Sequence, residues 1–296
     1  MDDKNILQRL KAVGLELNRH WYSLRFSETS DEFVSEEWDN FIILDAARPE
    51  ITKEYNPFDN CEVEERVSPG SFSLQFIEEQ FLGREMHDTI YITANPHVHD
   101  IPNGVFYKIV NLLDTEWNPE HNTVMPNDMV KEAVRVYEEF PDKRLIIHFM
   151  QPHYPFLGET GDNITSGIPK GNVSDDSYHH PWFDQMWRGM YDRKVLLTAY
   201  RENHEIALEY AAKLVGELTG RTVITSDHAN LIGERGDLVP MRLYGHPRYF
   251  NHPDLVTVPW IDLGGEPRTV SAERPVSIDR MEETEADRRL TALGYK

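Results

Sequence analysis

The chain alternates short apolar runs with amphipathic stretches. FIILD at 41–45 is apolar until it closes on an acid, and the same shape recurs in TIYITAN at 89–95, RLIIHFMQ at 144–151 and RTVITSDH at 221–228. Runs of this kind, bounded by polar residues, predict strands buried on both faces of a parallel sheet. Between them lie stretches with apolar residues near helical spacing. These are residues 4–18 (Ile6, Leu7, Leu10, Val13, Leu15, Leu17), SLQFIEEQF at 73–81, NDMVKEAVRVYEEF at 127–140 ahead of Pro141, and residues 200–220, where Gly220 is placed as a terminating cap. Strands alternating with helices predict an α/β fold with a central, mostly parallel sheet flanked by helices. Ligands of such sheets sit outside the carboxyl ends of the strands. The polar residues that follow each apolar run are therefore the place to look for chemistry.

The segment 157–192 breaks the alternation. It holds Gly158, Gly161, Gly167 and Gly171 and the string PWFDQMWRGMY, and reads as a long loop insertion able to cover a site. Residues 264–296 read as an irregular, proline-containing tail, with a last short helix over 283–295. With no internal repeat, the 296 residues read as one domain spanning 1–296. The single cysteine, Cys61, excludes a disulfide scaffold and a cysteine-rich zinc module. No run approaches the ~20 apolar residues of a membrane span, and MDDKNILQRL lacks the apolar core of a signal peptide, so the expected location is the cytoplasm. The 51 acidic residues outnumber the 30 basic ones for a net charge of −21, which speaks against a nucleic-acid-binding module. Lysines are few, 10 against 20 arginines, and a large acidic excess of this composition predicts a surface kept soluble in high salt.

Four clusters near predicted strand ends can carry chemistry: Asp45 with Arg48 in LDAAR, the serines of SPGSFS (68–73), His148 and His153 in HFMQPHYPF, and Asp227 with His228 in TSDHANLIGE, followed by His246 in YGHP. Asp–His pairs offer charge and a neutral nitrogen to a divalent cation. A serine at the start of a helix has backbone N–H groups and the helix dipole beside it, and a nearby metal lowers its hydroxyl pKa. Together these parts suit attack on an anionic phosphorus or sulfur centre. Each piece also has a plainer reading. A strand-end Asp is commonly a turn residue, and a serine before a helix an N-cap. His148, inside its strand run, reads as a core histidine. His97, His99, His179 and His180 read as solvated loop residues, and the aromatic residues of 178–192 as packing.

In order along the chain, these strings resemble the sulfatase-like branch of the alkaline phosphatase superfamily. TSDHANLIGE is similar to its SDHG-x-x-x-GE region, MQPHYPF to its strand-end histidine motif, LDAARPE to its first metal-binding aspartate, and YGHP with VPWI to the block that follows. The closing DRRLTALGY resembles the tail of archaeal members, and the resemblance spans roughly 38 to 295. It implies a divalent metal, manganese or zinc with magnesium or calcium as alternatives, and a nucleophile that becomes covalently phosphorylated or sulfated. It implies Asp45, Asp227 and His228 as metal ligands, Ser73 as nucleophile with Ser71 as fallback, and His153 as a catalytic residue. It implies His246, with Arg48, as substrate-binding. Ser73 is followed by LQF rather than the proline and arginine of sulfatases that convert a cysteine or serine to formylglycine, which favours phosphoester cleavage or phosphoryl transfer. The substrate expected is a small-molecule or a glycan- or lipid-linked ester. Two alternatives stay open: a sulfate-ester hydrolase without formylglycine, and a degenerate binding protein, since Ala229 stands where the family has glycine.

Overall fold

The computed structural model of the chain describes residues 3–26, 30–59, 61–165, 186 and 189–276. In chain order its elements are α1 (Asp3–Arg25), β1 (Asn40–Leu44), α2 (Pro49–Tyr55), β2 (Glu64–Val67), α3 (Ser73–Phe81), β3 (Met86–Thr93), β4 (Phe106–Asn111), α4 (Leu112–Thr115), β5 (Trp117–Asn118), β6 (Thr123–Val124), α5 (Pro126–Glu139), β7 (Arg144–Phe149), α6 (Glu159–Thr165), α7 (Arg193–Val215), β8 (Thr222–Thr225), β9 (Leu231–Arg235), β10 (Arg242–Gly245), α8 (Pro253–Val256) and β11 (Thr257–Asp262).

Seven strands form one mixed sheet in the order β2-β11-β8-β1-β7-β3-β4. The run from β8 to β4 is parallel; β11 pairs antiparallel with both β8 and β2. The apolar run of β1 is buried at every position because it lies at the middle of this sheet with both faces covered. One face carries Ile42, Leu44, Ile90, Ile92, Leu145, Ile147 and Ile224 against α5 and α7, through Met129, Ala133, Ala207 and Ala211. The other carries Phe41, Ile43, Tyr91, Ile146 and Val223 against Phe76, Ile77 and Phe81 of α3 and the aromatic rings of Trp38 and Trp260. Each such side chain taken from water contributes roughly 1.5–3 kcal/mol.

Two helices depart from the sequence reading. α1 runs on to Arg25, where Trp21 and Tyr22 join the cluster of Leu231, Leu243, Phe250 and Leu255 under the β9–β10 hairpin. α7 begins at Arg193 rather than at 200, because Asp192 caps it by accepting a hydrogen bond from the Lys194 N–H at 2.7 Å. Within 157–192, residues 159–165 form α6; most of the rest, with His179 and His180, lies outside the described residues, as do residues 283–295. Residues 263–276 carry no helix or strand.

The turn that delivers α3 is tight. A Cβ on Gly70 would stand 2.5 Å from the Phe76 N and 3.0 Å from the Phe72 O, which are backbone atoms that cannot step aside. Gly70→Ala is expected to destabilise the fold by about 1–3 kcal/mol, as overpacking does, read as a lowered midpoint in urea. An unchanged midpoint would show that the turn has room this structure does not give it.

Candidate active site

Strand order brings the predicted clusters together. β1 lies between β8 and β7, with Ile43 opposite both Thr225 and His148, and Thr93 of β3 on the far side of His148. Asp45 therefore leaves the sheet beside Asp227 and His228, and all three are fully buried. The backbone after Asp45 turns sharply. Ala46 takes a φ of 65°, a left-handed conformation that an alanine adopts only under constraint. The constraint is visible: its N–H donates to Asp227 Oδ1 at 3.2 Å, Tyr200 OH donates to its carbonyl, and the Ala47 N–H donates to Ser226 Oγ at 2.8 Å.

Ser73 is the first residue of α3, and its hydroxyl lies 3.3 Å from Asp45 Oδ2 and 3.3 Å from His228 Nε2. Ser71 lies in a different environment. Its Oγ donates to the Pro247 carbonyl at 3.1 Å and accepts from the Phe250 N–H at 3.1 Å, which makes it a tie between the α3 turn and the segment after β10. Ser68 likewise braces the turn, donating to the Asp227 carbonyl and accepting from the Gly70 N–H.

His148 corrects the sequence reading. It is fully buried, yet it belongs to the site: its Nε2 lies 3.6 Å from Asp45 Oδ2 and 3.7 Å from Asp227 Oδ2. Alternation along β7 puts it on the same face as Ile146, which is why it looks like core. At the end of the strand that face meets the two aspartates instead of α3. Tyr91 fixes the ring through a 2.7 Å hydrogen bond at Nδ1. Asn95, just past β3, donates to Asp45 Oδ2 at 2.7 Å and accepts from the His97 N–H at 2.9 Å. The sequence gives no cue for Tyr91, and for Asn95, two residues past β3, only its place at the polar end of TIYITAN. His97 is a second correction, for it is buried rather than solvated and pairs with Asp100 at 2.8 Å.

Asp45, His148 and Asp227 offer one ligand atom each within 4.8 Å of one another. Two of those atoms, Asp227 Oδ2 and His148 Nε2, are buried and accept or donate no hydrogen bond. Buried polar atoms left in this way fit a divalent cation among them. His228 adds a further nitrogen. Its Nδ1 donates to the Ala229 carbonyl at 2.8 Å, so in a neutral ring the lone pair sits on Nε2, which lies 3.5 Å from Asp227 Oδ2 and 3.7 Å from Asp45 Oδ1. The electrostatics agree. Burial opposes ionisation of Asp227, but His228 and His148 overcome it and hold the carboxyl well below the usual range. Burial also opposes a charge on His148, yet Tyr91, Asp227 and Asp45 hold it well above the ordinary imidazole value. Tyr91→Phe removes the partner of His148 Nδ1, and divalent-metal affinity is expected to fall about 10–100-fold in calorimetric titration. Unchanged affinity would remove His148 from the ligand set.

His153 and His246 form a second group beside the first. Their Nε2 atoms lie 2.9 Å apart, and the His246 and His228 ring centres 4.7 Å apart. His153 Nδ1 donates to the Tyr154 carbonyl at 2.7 Å, so a neutral His153 accepts at Nε2 and His246 donates from its own. Burial lowers both imidazoles, His246 further because His228 and His153 face it. Asn203 of α7 holds this loop through the Pro152 and His153 carbonyls. Arg48 turns elsewhere: it pairs with Glu234 at 2.9 Å and Glu50 at 2.5 Å and donates to the Asn230 carbonyl.

No family model and no curated protein matches the chain. Among solved structures it is similar to the C-terminal periplasmic domain of EptC from Escherichia coli in complex with zinc, at 12% identity and a TM-score of 0.50, over 80% of this chain and 75% of that one. It is also similar to the integral membrane protein lipooligosaccharide phosphoethanolamine transferase A from Neisseria meningitidis, at 13% identity and a TM-score of 0.48, over 76% of this chain. The chain spans 47% of the length of that protein. A protein in the alkaline phosphatase superfamily from Vibrio parahaemolyticus is similar over 99% of this chain and 76% of its own, at 13% identity and a TM-score of 0.43. At these identities the likeness is one of fold: the mixed seven-stranded sheet flanked by helices is similar to that of the EptC domain.

Proposed function

We propose that the chain is a metal-dependent enzyme that cleaves or transfers a phosphate ester through a covalent intermediate on Ser73. The observation that carries this reading is the placing of the Ser73 hydroxyl, at the first turn of α3 and 3.3 Å from both Asp45 and His228. Asp45, Asp227 and His228, with His148 added, would hold one divalent cation, manganese or zinc by donor type. When bound, that cation supplies a Lewis acid that stabilises negative charge and lowers the pKa of a neighbouring hydroxyl.

The residues of the chain do the rest. Ser73 Oγ forms the bond to phosphorus while the bond to the ester oxygen breaks, and its proton passes to Asp45 Oδ2, the acceptor it already faces. The N–H groups of the first turn of α3 face the phosphoryl oxygens as charge spreads over them. His246, paired with His153 through Nε2, orients the ester, and the departing oxygen takes its proton from water. Water or an acceptor alcohol then takes the phosphoryl group from Ser73. Arg48, engaged by Glu50 and Glu234, braces the Asp227–Glu234 segment rather than gripping substrate. A small-molecule or lipid- or glycan-linked ester fits the chemistry equally.

The test is turnover of chromogenic phosphate monoester, phosphate diester and sulfate ester by the purified chain, with added Mn²⁺ or Zn²⁺ and after chelation. Metal-dependent cleavage of a phosphate ester supports the reading. Preference for the sulfate ester moves it to a sulfatase without formylglycine. Metal binding with no turnover of any ester leaves a binding protein.

A further inference from the structure

Of the large apolar side chains exposed on the described residues, four stand on α1: Leu10 at 62% exposure, Val13 at 56%, Leu17 at 47% and Leu24 at 69%. Their spacing of three, four and seven residues sets them in one stripe along the helix. A different stripe holds α1 to the protein: Gly14 meets Met241 and Val239, Asn18 bonds the backbone of Leu238 and Val239, and Tyr22 packs on Phe250. The outer stripe is therefore not needed for packing against the hairpin.

Charge singles out the same helix. α1 carries five basic and two acidic residues, in a chain of 30 basic and 51 acidic ones. It is a basic, amphipathic segment on an otherwise strongly acidic protein. Arg9 and Arg25 are exposed on either side of the stripe, and the Arg25 guanidinium lies over the Trp21 ring at 4.8 Å. We propose that α1 lies in the surface of a lipid bilayer bearing anionic headgroups, with Leu10, Val13, Leu17 and Leu24 among the acyl chains and the arginines at headgroup level. A second copy of the chain is the poorer occupant, because pairing would bring two strongly acidic bodies together. No described helix is long and apolar enough to cross a membrane, so this is docking on a surface, not insertion through it.

The test is flotation of the full chain with vesicles of phosphatidylcholine mixed with phosphatidylglycerol, against phosphatidylcholine alone, across a salt series. Wild type is expected to float with the anionic vesicles, and more weakly with neutral ones or at high salt. Leu17→Gln and Leu24→Gln should each lower partitioning about tenfold, and Arg9→Glu should weaken binding to anionic vesicles alone. All three positions are exposed, so an unchanged melting midpoint confirms that the variants fold. No flotation of wild type overturns the proposal, as does equal flotation of wild type and variants. It is overturned too if light scattering finds a dimer that Leu17→Gln returns to monomer, since the stripe then belongs to a second copy.

Discussion

Ser73→Ala is expected to lower ester turnover by about 10³-fold or more, the scale on which removal of a nucleophile acts. The hydroxyl lost is the one at 3.3 Å from Asp45 and His228. The substitution takes one buried oxygen away and leaves Asp45 held by Asn95. Metal content and melting midpoint should therefore stay near wild type. Ser71→Ala makes the opposite pair of changes. Its oxygen bridges the Pro247 carbonyl and the Phe250 N–H, so the variant should lose about 1–2 kcal/mol of stability and keep turnover within about tenfold. Steady-state rates and urea melts of the two variants, run together, separate a nucleophile from a structural tie. A Ser73→Ala protein with wild-type turnover would end the assignment.

Asp227→Asn should abolish metal binding while sparing the fold. Asp227 Oδ1 accepts from the Ala46 and His228 N–H groups, and an asparagine carbonyl can do the same. Oδ2, which has no hydrogen-bond partner, becomes an NH₂ that points its hydrogens at the proposed cation position. Wild type loaded with metal at a hundred times its Kd gains about 2.7 kcal/mol over the chelated protein. The variant should show no such gain, and no turnover. Differential scanning with and without chelator, beside metal analysis, gives both answers. A variant that is stabilised by metal as strongly as wild type would contradict the ligand set.

The parts of the fold visible in the sequence are those set by long, one-sided patterns. FIILD, RLIIHF and RTVIT read as buried strands because they are apolar on both faces, and they lie together at the centre of the sheet. SLQFIEEQF matches α3 at both ends. The short strands were silent. β2 is four residues with two exposed glutamates at an edge, and the β9–β10 ladder is short and broken by a bulge between Leu243 and Tyr244. Their existence depends on partners far along the chain, which local patterning does not carry. The site was legible to the extent that acids and serines stand outside apolar runs: Asp45, Ser73, Asp227 and His228 converge as their positions suggested. His148 was not, because a histidine in the apolar alternation of a strand is the same whether the next layer is a phenylalanine or a pair of aspartates. Only strand order, with β7 between β1 and β3, decides that. Arg48 illustrates the converse, since its charge is answered by Glu50 and by Glu234 in a strand the sequence reading had not found.

A Ser73 that carries the group in transit must be caught phosphorylated during turnover. The chain is mixed with metal and a fast-leaving phosphate ester, quenched in acid within a turnover, digested and mapped by mass spectrometry. One added phosphoryl group is expected on the peptide containing Ser73, located at that residue and absent when the metal is chelated. Turnover accompanied by an unmodified Ser73, or by a phosphoryl group on another residue, would contradict that expectation.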